Sequence, residues 1–428
     1  MPSGSPCLRA LSGDDRGRAQ CSPQGRPVLV LANLHGEAVL AGMSAGRGAT
    51  LPRVLLQRLS ATGTLLRVFC TSSDRLWTPQ AVDPRCLPEV PSFSDSGDTG
   101  APTLIHGEPP ALAPGEQLRP WMSSPVGHCV AASQVAVAQR VCHRRFGLEL
   151  SEILGLGLPG ARMVSSVEEL QRHLADEGAG AAPDGRWVLK PPMSAAGRGQ
   201  LLSPNGAALG DPSWRGRVVA AFELHGEMLF EPWLDRVHDL GCRGEVLQGS
   251  VKVLGMHGLV VGPTGHFAGV LVAPAGCDDE RLSQSVRGFT PAVAAALSAV
   301  TEQVGQALVV AGYEGPFGVD AFTHRLASGE LVFRGLCEIN ARLTFGRVAA
   351  EWLQRAAPEA EEPARLLFAR GPLDAAVEQS QQRRSALDEG GQSLGAAASR
   401  SRRVVPLLTP DGSHSRAGTS AWLELGCD

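Results

Sequence analysis

The stretch Leu336-Cys-Glu-Ile-Asn-Ala-Arg-Leu-Thr-Phe-Gly346 constrains this chain more than any other. Polar groups stand at every second position, Glu338, Asn340 and Arg342, with Cys337, Ile339 and Ala341 between them. Residues two apart share one face of a β-strand, so the alternation predicts a strand with a carboxylate, a carboxamide and a guanidinium in line. An acid beside an amide oxygen suits a hard cation such as Mg2+, and an arginine beyond them suits a phosphate. The plain alternative is an edge strand with a solvated polar face. Cys337, on the opposite face, is expected in the core.

A neighbouring segment can supply further charge. In Gly312-Tyr-Glu-Gly-Pro-Phe-Gly-Val-Asp320-Ala-Phe-Thr323, the residues Phe317, Val319 and Ala321 alternate with Gly318, Asp320 and Phe322. A lone carboxylate on a buried strand is costly to desolvate, so Asp320 needs a partner. If strands 316–323 and 330–341 pair as a hairpin, Asp320 meets Glu338 and Asn340 on one face. Two acids and an amide oxygen there hold one or two Mg2+ ions of the kind that bridge triphosphate oxygens.

Two earlier segments carry the remaining candidates. In Trp187-Val-Leu-Lys190-Pro-Pro-Met-Ser194-Ala-Ala-Gly197-Arg-Gly199 a lysine ends an apolar strand and a small-residue loop follows. Backbone N–H groups freed by glycines can wrap phosphate oxygens, and the lysine adds a compact positive charge. The order, lysine before glycine, is not that of a P-loop, and an ordinary turn reads the same way. In Glu227-Met-Leu-Phe-Glu231-Pro232-Trp233-Leu234-Asp-Arg-Val-His-Asp239 a strand runs into a proline, which stops the ladder. Backbone groups beside Trp233 and Leu234 are then free for an adenine edge, and Asp239 for ribose hydroxyls. The plain alternative is a strand–loop–strand connection with surface acids.

At 428 residues the chain has room for two or three domains. A formal charge of −4 gives no reason to expect nucleic acid or an anionic membrane as partner. No run reaches the ~18 consecutive apolar residues of a membrane span, and the acid-bearing N-terminus is not a secretory signal. Ten cysteines stand singly without a Cys-x-x-Cys pair, and eleven histidines show no ligand spacing. That usage predicts reduced thiols, no zinc site and a cytoplasmic protein. His225, His238 and His257 are expected in loops or at the surface.

The expected organisation is a disordered tail over 1–26 and a small α/β unit over 27–125. In that unit Pro27–Ala32 and Leu65–Cys70 are expected strands, Asn33–Glu37 a turn and Leu51–Leu59 a helix, with a flexible loop near 91–101. A helix is expected over Ala132–Phe146, and another over Val167–Ala175 opened by the capping box in Ser165-Ser-Val-Glu168-Glu. Strands run on to about 273, and a long helix covers 291–311. An extension over 363–428 is expected to begin helically, with a mobile segment at 376–403 and a last strand, Arg403–Thr409, returning to the sheet.

Taken in order, Lys190 with its Ser/Gly loop, the Glu231-Pro-Trp hinge, Asp320 and the Glu338-x-Asn340-x-Arg342 strand resemble the ATP-grasp superfamily, which includes biotin carboxylase and D-alanine–D-alanine ligase. The resemblance covers roughly 126–350. It implies an α/β (α+β) chain with an ATP-grasp domain over 126–362, divided into a small subdomain (126–225) and a central one (226–350). It also implies ATP and Mg2+, with Mn2+ as the alternative ion. Lys190 would contact phosphates, the loop with Ser194, Gly197 and Gly199 would close over them, and Glu231 through Leu234 would line the adenine. Asp239 would sit at the ribose, Asp320, Glu338 and Asn340 would ligate metal, and Arg342 would stabilise a phosphorylated intermediate. Two phosphate-binding lysines usual in the family are missing: the first region offers Arg140, Arg144 and Arg145, and Lys252 comes too early for the second. The implied activity is an ADP-forming ligase joining a small carboxylic acid to an amine or thiol. A small-molecule kinase and a Mg-ATP-binding module without turnover are the alternatives. The acid is expected near Arg347 or Arg287, and the oligomeric state is left open.

Overall fold

The computed structural model describes residues 26–46, 48, 51–89, 100–126, 129–176, 182, 185–195, 197–261, 267–274, 289–380, 403–410 and 418–425. The expectations for nearly all of the N-terminal tail and the 91–101 loop, for Arg287 and for most of 376–403 lie outside the described residues.

The first unit is a parallel sheet in the order β3-β2-β1-β4. Its strands are β1 (Val28–Leu31), β2 (Arg75–Thr78), β3 (Thr103–His106) and β4 (Gln117–Pro120). Parallel neighbours need crossovers, and β1 crosses to β2 through α1 (Gly36–Ser44) and α2 (Arg53–Gly63). The expected turn at Asn33–Glu37 therefore leads into a helix. The expected strand Leu65–Cys70 is a 3-10 helix, Thr64–Phe69, continuing from α2. The chain reverses only at Asp74, whose carboxylate accepts from the N–H groups of Thr71 and Val28, each at 2.7 Å. The strand beside β1 consequently begins at Arg75.

The second unit opens with α3 (Ala132–Val141) and α4 (Arg144–Ile153). The expected single helix is broken at Cys142–His143, where the His143 side chain accepts from Arg145 N–H and starts α4. An antiparallel sheet in the order β5-β8-β6-β7 follows. It comprises β5 (Arg162–Val164), β6 (Trp187–Lys190), β7 (Leu201–Leu202) and β8 (Met228–Pro232), with α5 (Val167–Asp176) and α6 (Pro212–His225) against it. The cap of α5 uses Glu169: Ser166 Oγ accepts from its N–H, and its carboxylate accepts from Ser165 N–H at 2.8 Å.

The third unit is an antiparallel sheet of eight strands in the order β13-β12-β9-β10-β11-β14-β16-β15. It contains β9 (Asp235–Leu247), β10 (Ser250–Val261), β11 (Phe267–Val272), β12 (Gly315–Arg325) and β13 (Leu331–Asn340). Gln248 and Gly249, both at positive φ, make the two-residue turn between β9 and β10. The helix α7 (Pro291–Val310) covers one face, packing Leu297, Val304 and Leu308 with Cys242, Phe317 and Val319. The other face is left to α8 (Phe345–Ala356), whose Val348 and Trp352 pack with Val270 and Val272 of β11.

The extension does not begin helically. Ala364–Arg370 is β14, paired with β11, and a helix, α9, follows at 373–380. β15 (Arg403–Leu408) is the expected return strand, reached through β16 (Thr419–Leu425), which the sequence reading did not include. The burial of five successive residues in β16 removes the alternation that marks a half-exposed strand.

Candidate functional site

Pairing register arranges the face shared with α8 in rows. Asp320 lies opposite Glu338 on one side and Gly241 on the other, and Gly241 lies opposite His257. The next row reads Asn340, Gly318, Arg243 and Gly255. In the row before, Phe322 faces Asp239 and Arg334. Between the pairs Asp320–Glu338 and Phe322–Arg334, Gly335, Leu336 and Cys337 stand against Ala321 alone, a bulge. The bulge explains Cys337, which is half-buried at the cleft lined by Arg144, Arg334 and Glu338 rather than in the core.

Between the rows of Asp320 and Asn340, Asn340 Nδ2 donates to Asp320 Oδ2 at 3.0 Å, and Asn340 Oδ1 accepts from Arg342 Nη2 at 2.7 Å. The strand ends at Asn340, and a bend with Arg342 N–H on the Asn340 carbonyl returns Arg342 to the same side. Arg342 also donates to Glu37 of α1 at 2.7 Å, bringing the first unit to the site. Burial and the Glu338 charge push the Asp320 carboxyl up to about 7. Paired carboxylates on one face, with an amide oxygen beside them, form the hard donor set that a divalent cation neutralises, so these residues fit Mg2+. Among the described residues no group of three His, Cys, Asp or Glu side chains is placed to hold a metal, because the third donor here is Asn340.

Arg144 of α4 ties this row to the small-residue loop. It donates to Glu338 at 2.7 Å, to Ser194 Oγ at 2.9 Å and to the Pro191 carbonyl. Gly197 and Gly199 both take positive φ, the freedom that lets this loop fold back on itself. Between them Arg198 is drawn below its ordinary pKa, chiefly by burial, and lies within range of Glu37 and Arg342. In the adjacent sheet Glu231 is buried between Lys190, which it contacts, and Arg334 at 2.6 Å. Burial alone would raise its carboxyl; Arg334 and then Lys190 overcome that and hold it at about 2.

At the hinge, Pro232 pairs with Trp187 at the end of β8. The Trp233 N–H is not free, since it donates to the Arg186 carbonyl at 2.9 Å, whereas the Leu234 N–H has no acceptor among the described residues. Asp239 is held by Arg236, which stacks 4.2 Å over the Phe322 ring. Side-chain contacts thus join Lys190 to Glu231 and Arg334, Ser194 to Arg144 and Glu338, and Asp320 to Asn340 and Arg342, while Arg236 holds Asp239. Of the other candidates, His225 ends α6 and His238 lies in β9, both half-buried, but His257 is 3% exposed within β10 rather than at the surface. Sequence reasoning did not assign Arg236, Arg334 or Glu37 to the site. Arg334 stands four residues before Glu338, a continuation of the same polar alternation that the bulge then disturbs.

No family model matches the chain, and no curated protein sequence matches it. Among solved structures it is similar to the ADP complex of PurK, N5-carboxyaminoimidazole ribonucleotide synthetase. That match has 12% identity and a TM-score of 0.51 over 94% of this chain and 93% of that one. It is similar also to N5-carboxyaminoimidazole synthetase from Staphylococcus aureus complexed with ADP, at 10% identity and a TM-score of 0.51 over 94% of both chains. The chain has the ATP-grasp fold. The similarity includes the N-terminal α/β unit and the C-terminal extension, not only the stretch that carries the motifs.

Proposed function

We propose that the chain is an ATP-dependent ligase that activates a small carboxylic acid as an acyl phosphate and passes the acyl group to an amine or thiol. The carrying observation is the central row: Asp320 opposite Glu338, with Asn340 on Asp320 and Arg342 on Asn340. Mg2+ bound by Asp320, Glu338 and Asn340 would supply neutralisation of the triphosphate charge. Lys190, Arg144, Arg198 and the loop through Ser194, Gly197 and Gly199 hold the phosphates, with Arg144 in the first of the two regions where a lysine is absent. The Leu234 N–H meets the adenine edge, and Asp239 meets the ribose once Arg236 yields it. A carboxylate oxygen of the acid attacks the γ-phosphorus, the bond to the bridging oxygen breaks, and ADP leaves. Arg342 stabilises the charge on the acyl phosphate. The nucleophile's lone pair then attacks the acyl carbon, inorganic phosphate departs, and the nucleophile loses its proton.

The internal ion pairs favour a second reading, a Mg-ATP-binding module without turnover, because Lys190 and Asp239 are both held by the protein itself. Incubation with Mg-ATP, hydroxylamine and pooled carboxylic acids separates the readings. The ligase forms ADP and a hydroxamate in equal amounts. A kinase forms ADP with a phosphorylated metabolite, and a silent module forms no ADP.

A further inference from the structure

Arg243 is a buried cation for which the reaction above has no use. It is 8% exposed, and its Nε and Nη1 donate to the carbonyls of Gly255 at 3.2 Å and Gly346 at 3.1 Å. Its Nη2 has no partner among the described residues. The charged groups around it are Arg347, Glu351 and Glu245. Arg347 donates to Glu351 at 2.7 Å and lies 3.9 Å from Glu245, so the acids of this corner are turned toward Arg347. Burial first, and the Arg347 charge second, lower the Arg243 pKa to about 10. A buried guanidinium bonded only to neutral carbonyls is an expensive arrangement unless an anion visits it.

Glycines surround the two buried side chains, because Arg243 and His257 occupy the positions that a Cβ would take. A Cβ on Gly255 would come within 2.6 Å of Arg243 Nη2, and one on Gly346 within 2.6 Å of the His257 ring. A Cβ on Gly241 would lie 2.4 Å from His257 Nε2. His257 is 3% exposed, and its Nδ1, beside Gly346, has no partner among the described residues. Burial and then Arg243 keep this imidazole uncharged, near pKa 3. Gly346 belongs to the first turn of α8, where the N–H groups of Phe345 and Gly346 have no acceptor among the described residues. A helix start of this kind favours an anion.

The position fixes which anion. Arg243 follows Gly241 by two residues, so it stands about 7 Å along β9 from the row of Asp320 and Glu338. The carboxylate that takes the phosphoryl group must lie with that row and Arg342, so an anion at Arg243 is a different group on the same molecule. We infer that Arg243, His257 and the first turn of α8 hold a second carboxylate of the acid substrate, and that the acid is a short dicarboxylate. The inference rests on the ligase reading and adds a substrate class to it.

The test compares succinate and glutarate with butyrate and valerate in the hydroxylamine assay, using the full-length protein. The expected result is a KM for at least one diacid about tenfold or more below that of its monoacid match. Arg243→Met should raise the diacid KM about tenfold while leaving the KM values of ATP and the monoacid within about twofold, and Arg243→Lys should restore part of the loss. Equal KM values for diacid and monoacid in the wild type overturn the inference, as does an Arg243→Met enzyme that keeps the preference. If Arg243→Met does not fold, the wild-type comparison and Arg243→Lys decide. Hydroxamate from monoacids alone removes the dicarboxylate and spares the ligase; no hydroxamate from any acid removes both.

Discussion

Glu231 shows how single residues set the character of this cleft. Its carboxyl sits at about 2 in the folded protein against an ordinary value of 4.5, so it binds fewer protons folded than unfolded. The stability it contributes is therefore complete above about pH 4.5 and is lost as pH falls toward 2. Glu231→Gln leaves Lys190 and Arg334 buried without their carboxylate, and should lower stability at pH 7 by about 3 kcal/mol. The same variant should flatten the acid limb of the profile, which urea denaturation at pH 7 and pH 3 would show. Asp320 behaves oppositely. Relief of its repulsion with Glu338 means that Asp320→Asn should raise the metal-free Tm while abolishing Mg-dependent ADP formation; a lower Tm would contradict the like-charge reading. The grouping of Asp320, Glu338 and Asn340 was legible in the sequence because alternation along a strand is a local signal. The counter-ions were not: Arg334 reaches Glu231 across 103 positions and Arg342 reaches Glu37 across 305.

Elements differ in how far local pattern determines them. The pair β12–β13 was readable because Asp320 and the Glu338-x-Asn340 alternation interrupt otherwise apolar runs, and the observed register places Asp320 against Glu338. Leu65–Cys70 was misread as a strand because a short apolar run carries no period that separates strand from helix. There α2 simply runs on, and Asp74 makes the turn. Ala364–Arg370 was misread for a related reason, since Ala, Arg and Leu favour helices while sheet neighbours on both sides override that preference. The start of α8 depends on a bare strand beneath it. A Cβ on Gly318 would lie 2.7 Å from Thr344 Cγ2, and Thr344 is the residue that caps α8. Gly318→Ala should therefore cost about 1–3 kcal/mol and reduce turnover, because the shift acts beside Asn340. A variant with unchanged Tm and unchanged turnover would show that the contact is easily relaxed.

Over the whole molecule, the N-terminal unit and the grasp behave as one structure through α8. Trp352 is fully buried, its Nε1 donates to the Leu65 carbonyl at 3.0 Å, and Arg67 stacks over its ring at 5.2 Å. Trp352→Ala should cost about 3–5 kcal/mol, and the loss should appear in the unfolding of both units together. Two separated transitions, with only one of them shifted, would show that the units are independent. The arrangement gives the Arg342–Glu37 contact its purpose: the end of the strand that carries Glu338 and Asn340 is braced by α1 of the first unit. The cleft therefore depends on three units meeting, and its central row is the place to test it. Calorimetric titration of ADP with and without Mg2+, into the wild type and Glu338→Gln, measures that row directly. The expected result is tight binding that Mg2+ strengthens by about tenfold or more in the wild type, with the Mg2+ effect lost in Glu338→Gln. ADP binding indifferent to Mg2+, or a Mg2+ effect that survives Glu338→Gln, would contradict the assignment of Asp320, Glu338 and Asn340 as a metal and phosphate face.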